Sequence, residues 1–381
     1  MKIAIIVYKP FVGGVGFCMM NYFRHLNHAK FQIDFLVQDE LPSAFVKEIT
    51  AAGGAIKMLP GIKNVPKHVH TVYRILKDGK YDAVHSNVNT LSVFPLFAAW
   101  LAGTPIRISH AHSASNPKDR KRHVAKLILR PLSRIFPTHY LACSELAGRF
   151  QFGDRKWESG SVRLVKNAIE TDRFKFDEKA RAELRAEFGL KDKFIVGHIG
   201  RISPQKNPQG LIDIFTEVAR RRDDAVLVIV GDGPLRNATE DYVAAKGLRG
   251  KVAFVGERHD ASRFYSMFDV FCFPSLYEGL GMVLIEAQMN GLPCVASTEV
   301  PRAADLTGLV EFLPLNAPHA QWADRLLAAK RADSAQCRQQ LAEAGYDITR
   351  EAENLAAFYR DACPHCRSEM SYSNANEYEP C

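Results

Sequence analysis

Short apolar runs alternate with longer segments of helical spacing along most of this chain. A strand buried on both faces needs a helical crossover to reach a parallel neighbour, so this alternation specifies βαβ units rather than hairpins. In the first half, strands are predicted at 3–7, 32–37, 55–58, 83–85, 107–110 and 140–142. In the second half they fall near 194–199, 225–230, 252–255, 270–273 and 293–296. The charged stretch 171–193 separates the two series, which places a domain junction within 165–190. Its 177–188 portion predicts a helix opening the second domain. Leu355, Phe358 and Tyr359 stand at helical spacing and predict an amphipathic helix over 351–362. The expected architecture is α/β, with two similar halves facing each other across a cleft: residues 1–168 and 169–350, then the final helix and a polar tail over 363–381.

At 381 residues the chain is long for one ordinary domain and suits two. Hydrophobic residues make up 47% and charged residues 24%, which excludes a largely disordered chain. The +8 formal charge admits an anionic partner without choosing one. The opening run through Val7 is too short for a signal-peptide core, and 91–102 falls short of the roughly 20 residues that span a bilayer. Of eight cysteines, five are scattered singly, as expected for reduced thiols in a cytoplasmic protein. Cys363-Pro-His-Cys366 with Cys381 has zinc-ligand chemistry but lacks a second Cys-x-x-Cys pair. The expectation is therefore a polar tail, with no metal and no cofactor.

The strongest motif runs Val270-Phe-Cys-Phe-Pro-Ser-Leu-Tyr-Glu278-Gly279-Leu280-Gly281-Met-Val-Leu-Ile-Glu286-Ala. It reads as a buried strand, a Gly-flanked loop and a helix over 282–289. Glu278 stands in the loop and Glu286 about one turn inside the helix, so both can face one ligand at the carboxyl edge of the sheet. The free N–H groups opening the helix favour a phosphate, and the carboxylates accept hydrogen bonds from sugar or ribose hydroxyls. On spacing alone, an acidic first-turn residue and a solvated helix carboxylate would explain the pair equally well.

A second cluster runs Gly197-His-Ile-Gly200-Arg201-Ile-Ser-Pro-Gln-Lys206-Asn207-Pro208, after one strand and before a helix beginning near Pro208. Arg201 and Lys206 are spaced to converge on one anion, the first as a planar fork and the second as a compact charge. Such a pair would stabilise charge on a departing diphosphate. In the first half, Gly13, Gly14 and Gly16 follow the opening strand and let the backbone approach a ligand. Met19 stands where a dinucleotide fingerprint has its third glycine, so that reading is poor. The run Arg107-Ile-Ser-His110-Ala-His112 ends a strand with two histidines, either structural or placed to meet a substrate hydroxyl.

Together these residues resemble the retaining nucleotide-sugar glycosyltransferases of family 4, which have the GT-B fold of two Rossmann-like domains. The E-x7-E motif appears as Glu278…Glu286, and the Gly-Arg…Lys-Asn motif as Gly200-Arg201…Lys206-Asn207. The junction motif appears as Asn167-Ala168-Ile169-Glu170, with alanine in place of the usual glycine. The resemblance implies that Arg201 and Lys206 hold the donor diphosphate and Glu286 the ribose hydroxyls. Glu278 would contact the donor sugar, while Gly279, Leu280 and Gly281 supply backbone donors and Gly14 lines the donor site. His112 is the first choice for the active-site histidine and His110 the alternative. The first domain would bind the acceptor, and the helix over 351–362 would cross back onto it. The sub-pattern around Glu278 and Gln288 is most similar to bacterial exopolysaccharide and capsule transferases. This implies a UDP-sugar donor and a glycan or polyprenyl-diphosphate-linked acceptor. Two other readings stay open: a GT-B epimerase of a UDP-sugar, for which E-x7-E is the wrong signature, and a non-catalytic sugar-nucleotide-binding subunit.

From Lys118 to Arg134 the sequence carries seven basic residues and one acidic, interleaved with Val124, Leu127, Ile128, Leu129 and Leu132. A helix here has an apolar stripe up to Pro131. It either packs on its own domain or lies on an anionic membrane surface, at the inner face of the plasma membrane. Nucleic acid is not expected as a partner, because no aromatics interleave the basic residues.

Overall fold

The computed structural model describes residues 1–8, 14–113 and 120–363. The chain divides into two compact units, Met1–Ile169 joined by the segment from Ile348, and Glu170–Asp347.

The first unit is built on strands β1 (Lys2–Val7), β2 (Gln32–Val37), β3 (Ile56–Met58), β4 (Ala83–Ser86), β5 (Ile106–Ala111), β6 (His139–Ala142) and β7 (Val162–Leu164). They form one sheet in the order β3-β2-β1-β4-β5-β6-β7, every pair parallel. Strand period sends successive side chains to opposite faces. Ile3, Ile5 and Val7 accordingly pack with Phe35 against the helices Gly14–His25 and Ile348–Ala362. Ala4 and Ile6 pack on the other face, with Leu36, Val84, Val72, Leu76 and Leu96. Leu355, Phe358 and Tyr359 of the final helix belong to the first of these cores.

The second unit carries β8 (Phe194–Ile199), β9 (Ala225–Val230), β10 (Val252–Gly256), β11 (Val270–Phe273), β12 (Cys294–Ser297) and β13 (Val310–Leu313). Their order is β10-β9-β8-β11-β12-β13, again all parallel. Its core joins Val196, Leu227, Ile229, Val270 and Cys272 to Leu211, Phe215 and Trp322. Asp177 caps the helix Glu178–Glu187 by accepting from the N–H groups of Lys179 and Ala180.

Both sheets therefore reverse direction once, between β1 and β4 and between β8 and β11. At such a switch point adjacent crossovers leave on opposite faces, and a crevice opens at the carboxyl ends of the two strands. These are Rossmann-like sheets, two in one chain, as in the GT-B architecture. The Arg201–Lys206 and Glu278–Glu286 segments follow β8 and β11, the two strands flanking the second switch point.

Two strands are invisible to the sequence pattern. β7 buries only Val162 of its three residues, and β13 buries only its two ends. Both are edge strands, with neither an apolar run nor strict alternation to reveal them. The helix expected to lose its stripe at Pro131 continues through it, spanning Arg120–Leu132. Among the described residues, no helix is long and apolar enough to cross a membrane.

Candidate active site

The loops leaving β8 and β11 are stitched together by their own backbone and side chains. Leu276 donates its N–H to the Gln205 carbonyl at 2.8 Å, and the Gln205 amide donates to the Tyr277 carbonyl at 3.0 Å. Asn207 takes a left-handed conformation, caps the helix Pro208–Arg221 through the Gly210 N–H, and donates to the Pro274 carbonyl. These contacts bring Lys206 onto Glu278, with Nζ to Oε1 at 2.5 Å, both side chains largely buried. The ammonium also lies over the Phe273 ring, 4.5 Å from its centroid, where the ring's negative face favours a cation.

A third loop, leaving β9, packs against the Gly200 turn. A Cβ at Gly231, whose φ is +129°, would stand 2.2 Å from the Gly200 carbonyl oxygen, so no other residue fits there. Gly231→Ala is expected to cost about 1–3 kcal/mol of stability and to displace the Gly200-Arg201 turn. Urea denaturation followed by fluorescence measures the first effect, and donor titration the second.

Arg201 is exposed and makes no ion pair among the described residues, in contrast to Lys206. Lys206 is thus held by a carboxylate, while Arg201 stands as an open positive charge on the loop after the same strand.

The helix Met282–Met289 begins after Gly281, left-handed at φ +85°, and no side chain caps its first N–H groups. Gly279 is exposed beside it and Leu280 half-buried. Glu286 lies in the second turn and accepts a hydrogen bond from the Tyr265 hydroxyl at 2.6 Å. Burial pushes its carboxyl up to about 7, against the opposing pull of that hydroxyl, Arg173 and Lys206. Lys206 is thus electrostatically coupled to both carboxylates of the motif. Tyr265 and Phe273 carry no signal in the sequence, because an aromatic in a helix or buried strand gives no sign of what its polar tip or face will meet. His198 is structural: its Nδ1 pairs with the Cys272 carbonyl at 2.9 Å, tying β8 to β11.

In the first unit, Gly14 opens the helix Gly14–His25 and is exposed, and a Cβ added there would meet nothing within 4 Å. Gly13 lies outside the described residues. His110 lies near the end of β5 and His112 directly follows it, both buried, with ring centroids 3.9 Å apart. The Asn89 side chain accepts from the His112 and Ser113 N–H groups at 2.8 and 3.1 Å, fixing the turn that follows the strand. The His112 Nε2 pairs with the Asn87 Oδ1 at 2.8 Å. Burial depresses His112 to about 4, against the opposing pull of the Asn167 side chain, and His110 well below the ordinary histidine range. Both rings are therefore neutral at pH 7.

Cys18, Cys143, Cys272, Cys294 and Cys337 are buried free thiols and Cys363 is buried, while Cys366 and Cys381 lie outside the described residues. Among the described residues, no group of three or more His, Cys, Asp or Glu side chains is placed to hold a metal.

Residues 180–328, which include Arg201, Lys206, Glu278 and Glu286, match the family model described as glycosyl transferases group 1. Over 360 residues the chain is 35% identical to the putative glycosyltransferase EpsF of Bacillus subtilis, covering 91% of this chain and 93% of that one. The chain belongs to the group 1 glycosyltransferases. It is an enzyme of glycosyl transfer from nucleotide sugars. A further relative, at 27% identity over 78% of this glycosyltransferase and 79% of its own length, is the UDP-Gal:alpha-D-GlcNAc-diphosphoundecaprenol alpha-1,3-galactosyltransferase of Escherichia coli. Among solved structures, Anabaena HepE in complex with UDP shares the fold, with a TM-score of 0.77 and 19% identity over 94% of this glycosyltransferase and 99% of HepE.

Proposed function

We propose that this glycosyltransferase transfers a sugar from a UDP-sugar, with retention of anomeric configuration, to a hydroxyl of a glycan or polyprenyl-diphosphate-linked oligosaccharide in exopolysaccharide, capsule or O-antigen synthesis. The observation that carries the reading is the coupling of Lys206 to both Glu278 and Glu286 beside an uncapped helix N-terminus. That arrangement offers cationic and N–H donors to a diphosphate, and carboxylate acceptors to ribose and sugar hydroxyls. The E. coli relative, by its name, uses UDP-galactose and a diphosphoundecaprenol-linked acceptor, which favours the same chemical classes here.

In the proposed step, the anomeric carbon–oxygen bond to the diphosphate breaks and a bond to the acceptor oxygen forms. UDP departs with the electron pair, and the acceptor proton leaves with it or passes to a neighbouring base. Arg201, Lys206 and the Gly279–Leu280–Gly281 backbone stabilise the leaving diphosphate; Glu286 holds the ribose and Glu278 the donor sugar. Gly14 and Gly200 allow the backbone to approach the donor, and His112 meets a hydroxyl of the transferred sugar. The test is UDP release with UDP-glucose, UDP-galactose and their N-acetyl forms, using a polyprenyl-linked acceptor extract. Product NMR then reads the anomeric configuration. Absence of release with every donor refutes the reading, and an inverted product refutes retention.

A specific observation also favours a membrane-facing acceptor side. Val124, Leu127, Ile128 and Leu132 of the helix Arg120–Leu132 are 42–65% exposed, as is Ile135 beyond it, so a large part of this apolar stripe is open to solvent. The Phe136 ring lies 5.9 Å from that of Trp100, and Trp100 and Leu101 are themselves exposed. The apolar surface therefore continues onto the end of the helix Val93–Leu101. Combined with the basic sequence from Lys118 to Arg134, this chemistry fits an anionic lipid surface. Leu127→Glu with Ile128→Glu is expected to reduce sedimentation with phosphatidylglycerol vesicles at least tenfold, leaving turnover of a water-soluble acceptor unchanged. Equal sedimentation of the variant and the parent would overturn the docking surface.

A further inference from the structure

The two carboxylate oxygens of Glu286 have different surroundings. Oε2 accepts from the Tyr265 hydroxyl at 2.6 Å, while Oε1 has no partner among the described residues. Tyr265 is wholly buried, but Glu286 is only half-buried and its Oε1 is not sealed from solvent. The direction of the bond is fixed. Burial keeps the phenol protonated, and an ionised carboxylate has no proton to give.

The phenol is itself held firmly. Tyr265 stands in the helix Ala261–Met267, with its ring centroid 6.0 Å from that of Phe174 and 5.9 Å from that of Phe271. Its backbone carbonyl accepts from Arg331 Nη2 at 2.6 Å. The same guanidinium donates to the Asn290 carbonyl at 2.9 Å and to its side-chain oxygen at 2.8 Å. Asn290 directly follows the helix that carries Glu286, and its amide nitrogen donates to the Phe174 carbonyl and the Ser266 hydroxyl. A single guanidinium fork thus ties the end of the Glu286 helix to the residue whose hydroxyl meets Glu286. A side chain locked in this way can hold a ligand-binding group in one rotamer.

The other charged groups acting on the carboxyl are Arg173, on the short helix Thr171–Phe174, and Lys206, on the loop after β8. The remaining elements packed against the Glu286 helix supply no competing charge. Arg338 of the helix Ser334–Glu343 pairs with Asp172, Arg302 of the turn Arg302–Ala304 lies over the Phe312 ring, and Cys294 of β12 is kept as a neutral thiol. Among the described residues, only Tyr265 donates a side-chain hydrogen bond to Glu286.

We propose that Tyr265, anchored by Arg331 and Asn290, is a positioning residue for the donor: its hydroxyl occupies Oε2 of Glu286 and leaves Oε1 turned out to accept from a ribose hydroxyl. The inference rests on the reading of Glu286 as the group that holds the ribose. A hydrogen bond to the charged form also favours ionisation, so the same phenol keeps the carboxylate in the form that accepts.

Carbon-13 NMR of the full-length parent, labelled at tyrosine Cζ, tests the bond without altering Tyr265. The Tyr265 resonance should titrate with a midpoint near 7, following Glu286, and Glu286→Gln should abolish that titration. A Tyr265 resonance that stays constant from pH 5 to pH 9 overturns the proposal.

Tyr265→Phe then removes the hydroxyl while keeping the ring. Donor KM should rise about tenfold at pH 7 and no more than twofold at pH 9, because the loss is chiefly of the ionised form. At saturating donor kcat should stay within twofold, as for an interaction made equally in the ground state and the transition state. In a Glu286→Gln background the same substitution should raise KM less than twofold further. An equal rise at pH 7 and pH 9, or the full rise in the Gln background, means that the phenol acts through packing alone and overturns the positioning role. UDP titration by calorimetry separates the two readings. A parent that binds no UDP refutes the donor site, whereas a parent that binds UDP with a Tyr265→Phe profile unchanged refutes only the inference drawn from Tyr265.

Discussion

Lys206→Met is expected to lower turnover of the sugar donor by at least a hundredfold and stability by about 3 kcal/mol. The stability effect arises because Glu278, its side chain only 9% exposed, loses the ammonium that compensates its charge. The turnover effect arises because the leaving diphosphate loses a cation already held in place by the Phe273 ring and the Asn207 turn. The two effects separate in the double variant Lys206→Met with Glu278→Gln. Removing the orphaned charge restores most of the stability, because a neutral amide is less costly to bury than a carboxylate. Catalysis does not return, since neither the cation nor the carboxylate proposed to contact the donor sugar is present. Guanidinium denaturation and UDP release, measured on the same three proteins, check both halves. Recovery of turnover together with stability would show that the pair supports the fold and not the donor.

That pair also shows what a sequence can and cannot reveal about such a site. The strand–loop–helix around Glu278 is legible because βαβ chemistry is local: an apolar run, a glycine break and a helical pattern lie within a few turns. The segment at 194–199 and the helix Met282–Met289 follow from such patterns with their ends in place. Partners drawn from other βα units are not legible. Tyr265 meets Glu286 across 21 positions, and Tyr359 meets His85 across 274. Nothing near either tyrosine in sequence distinguishes it from an ordinary core aromatic. The Lys206–Glu278 contact is intermediate: both residues stand out in the sequence, but as separate charges with separate tasks. Their union follows from the adjacency of β8 and β11, which the order of elements along the chain does not state. The helix Arg120–Leu132 illustrates the converse. Its apolar stripe is evident in the sequence, but only side-chain exposure distinguishes packing from an open face.

Donor binding is expected to weaken as pH falls from 8 to 6, and Glu286 is the cause. Its carboxyl is pushed up to about 7, principally by burial, with the Tyr265 hydroxyl, Arg173 and Lys206 limiting the rise. A ribose hydroxyl donates best to the ionised form, so below that value binding must first expel a proton. With a midpoint near 7, the ionised fraction falls about tenfold between pH 8 and pH 6, and donor KM should rise by about the same factor. Glu286→Gln weakens donor binding at pH 8 at least tenfold, about 1.4 kcal/mol, and removes the pH dependence. Steady-state kinetics at fixed ionic strength across this window provides the measurement. Folding stability carries the opposite sign. Because the folded carboxyl holds its proton more tightly than the unfolded one, its contribution is fully present below the ordinary carboxylate value and is lost as pH rises through about 7. Falling pH should thus strengthen the fold at Glu286 while weakening its grip on the donor, and Glu286→Gln should flatten both profiles. A parent KM that stays constant from pH 6 to pH 8 would show that this carboxylate does not hold the ribose in its ionised form.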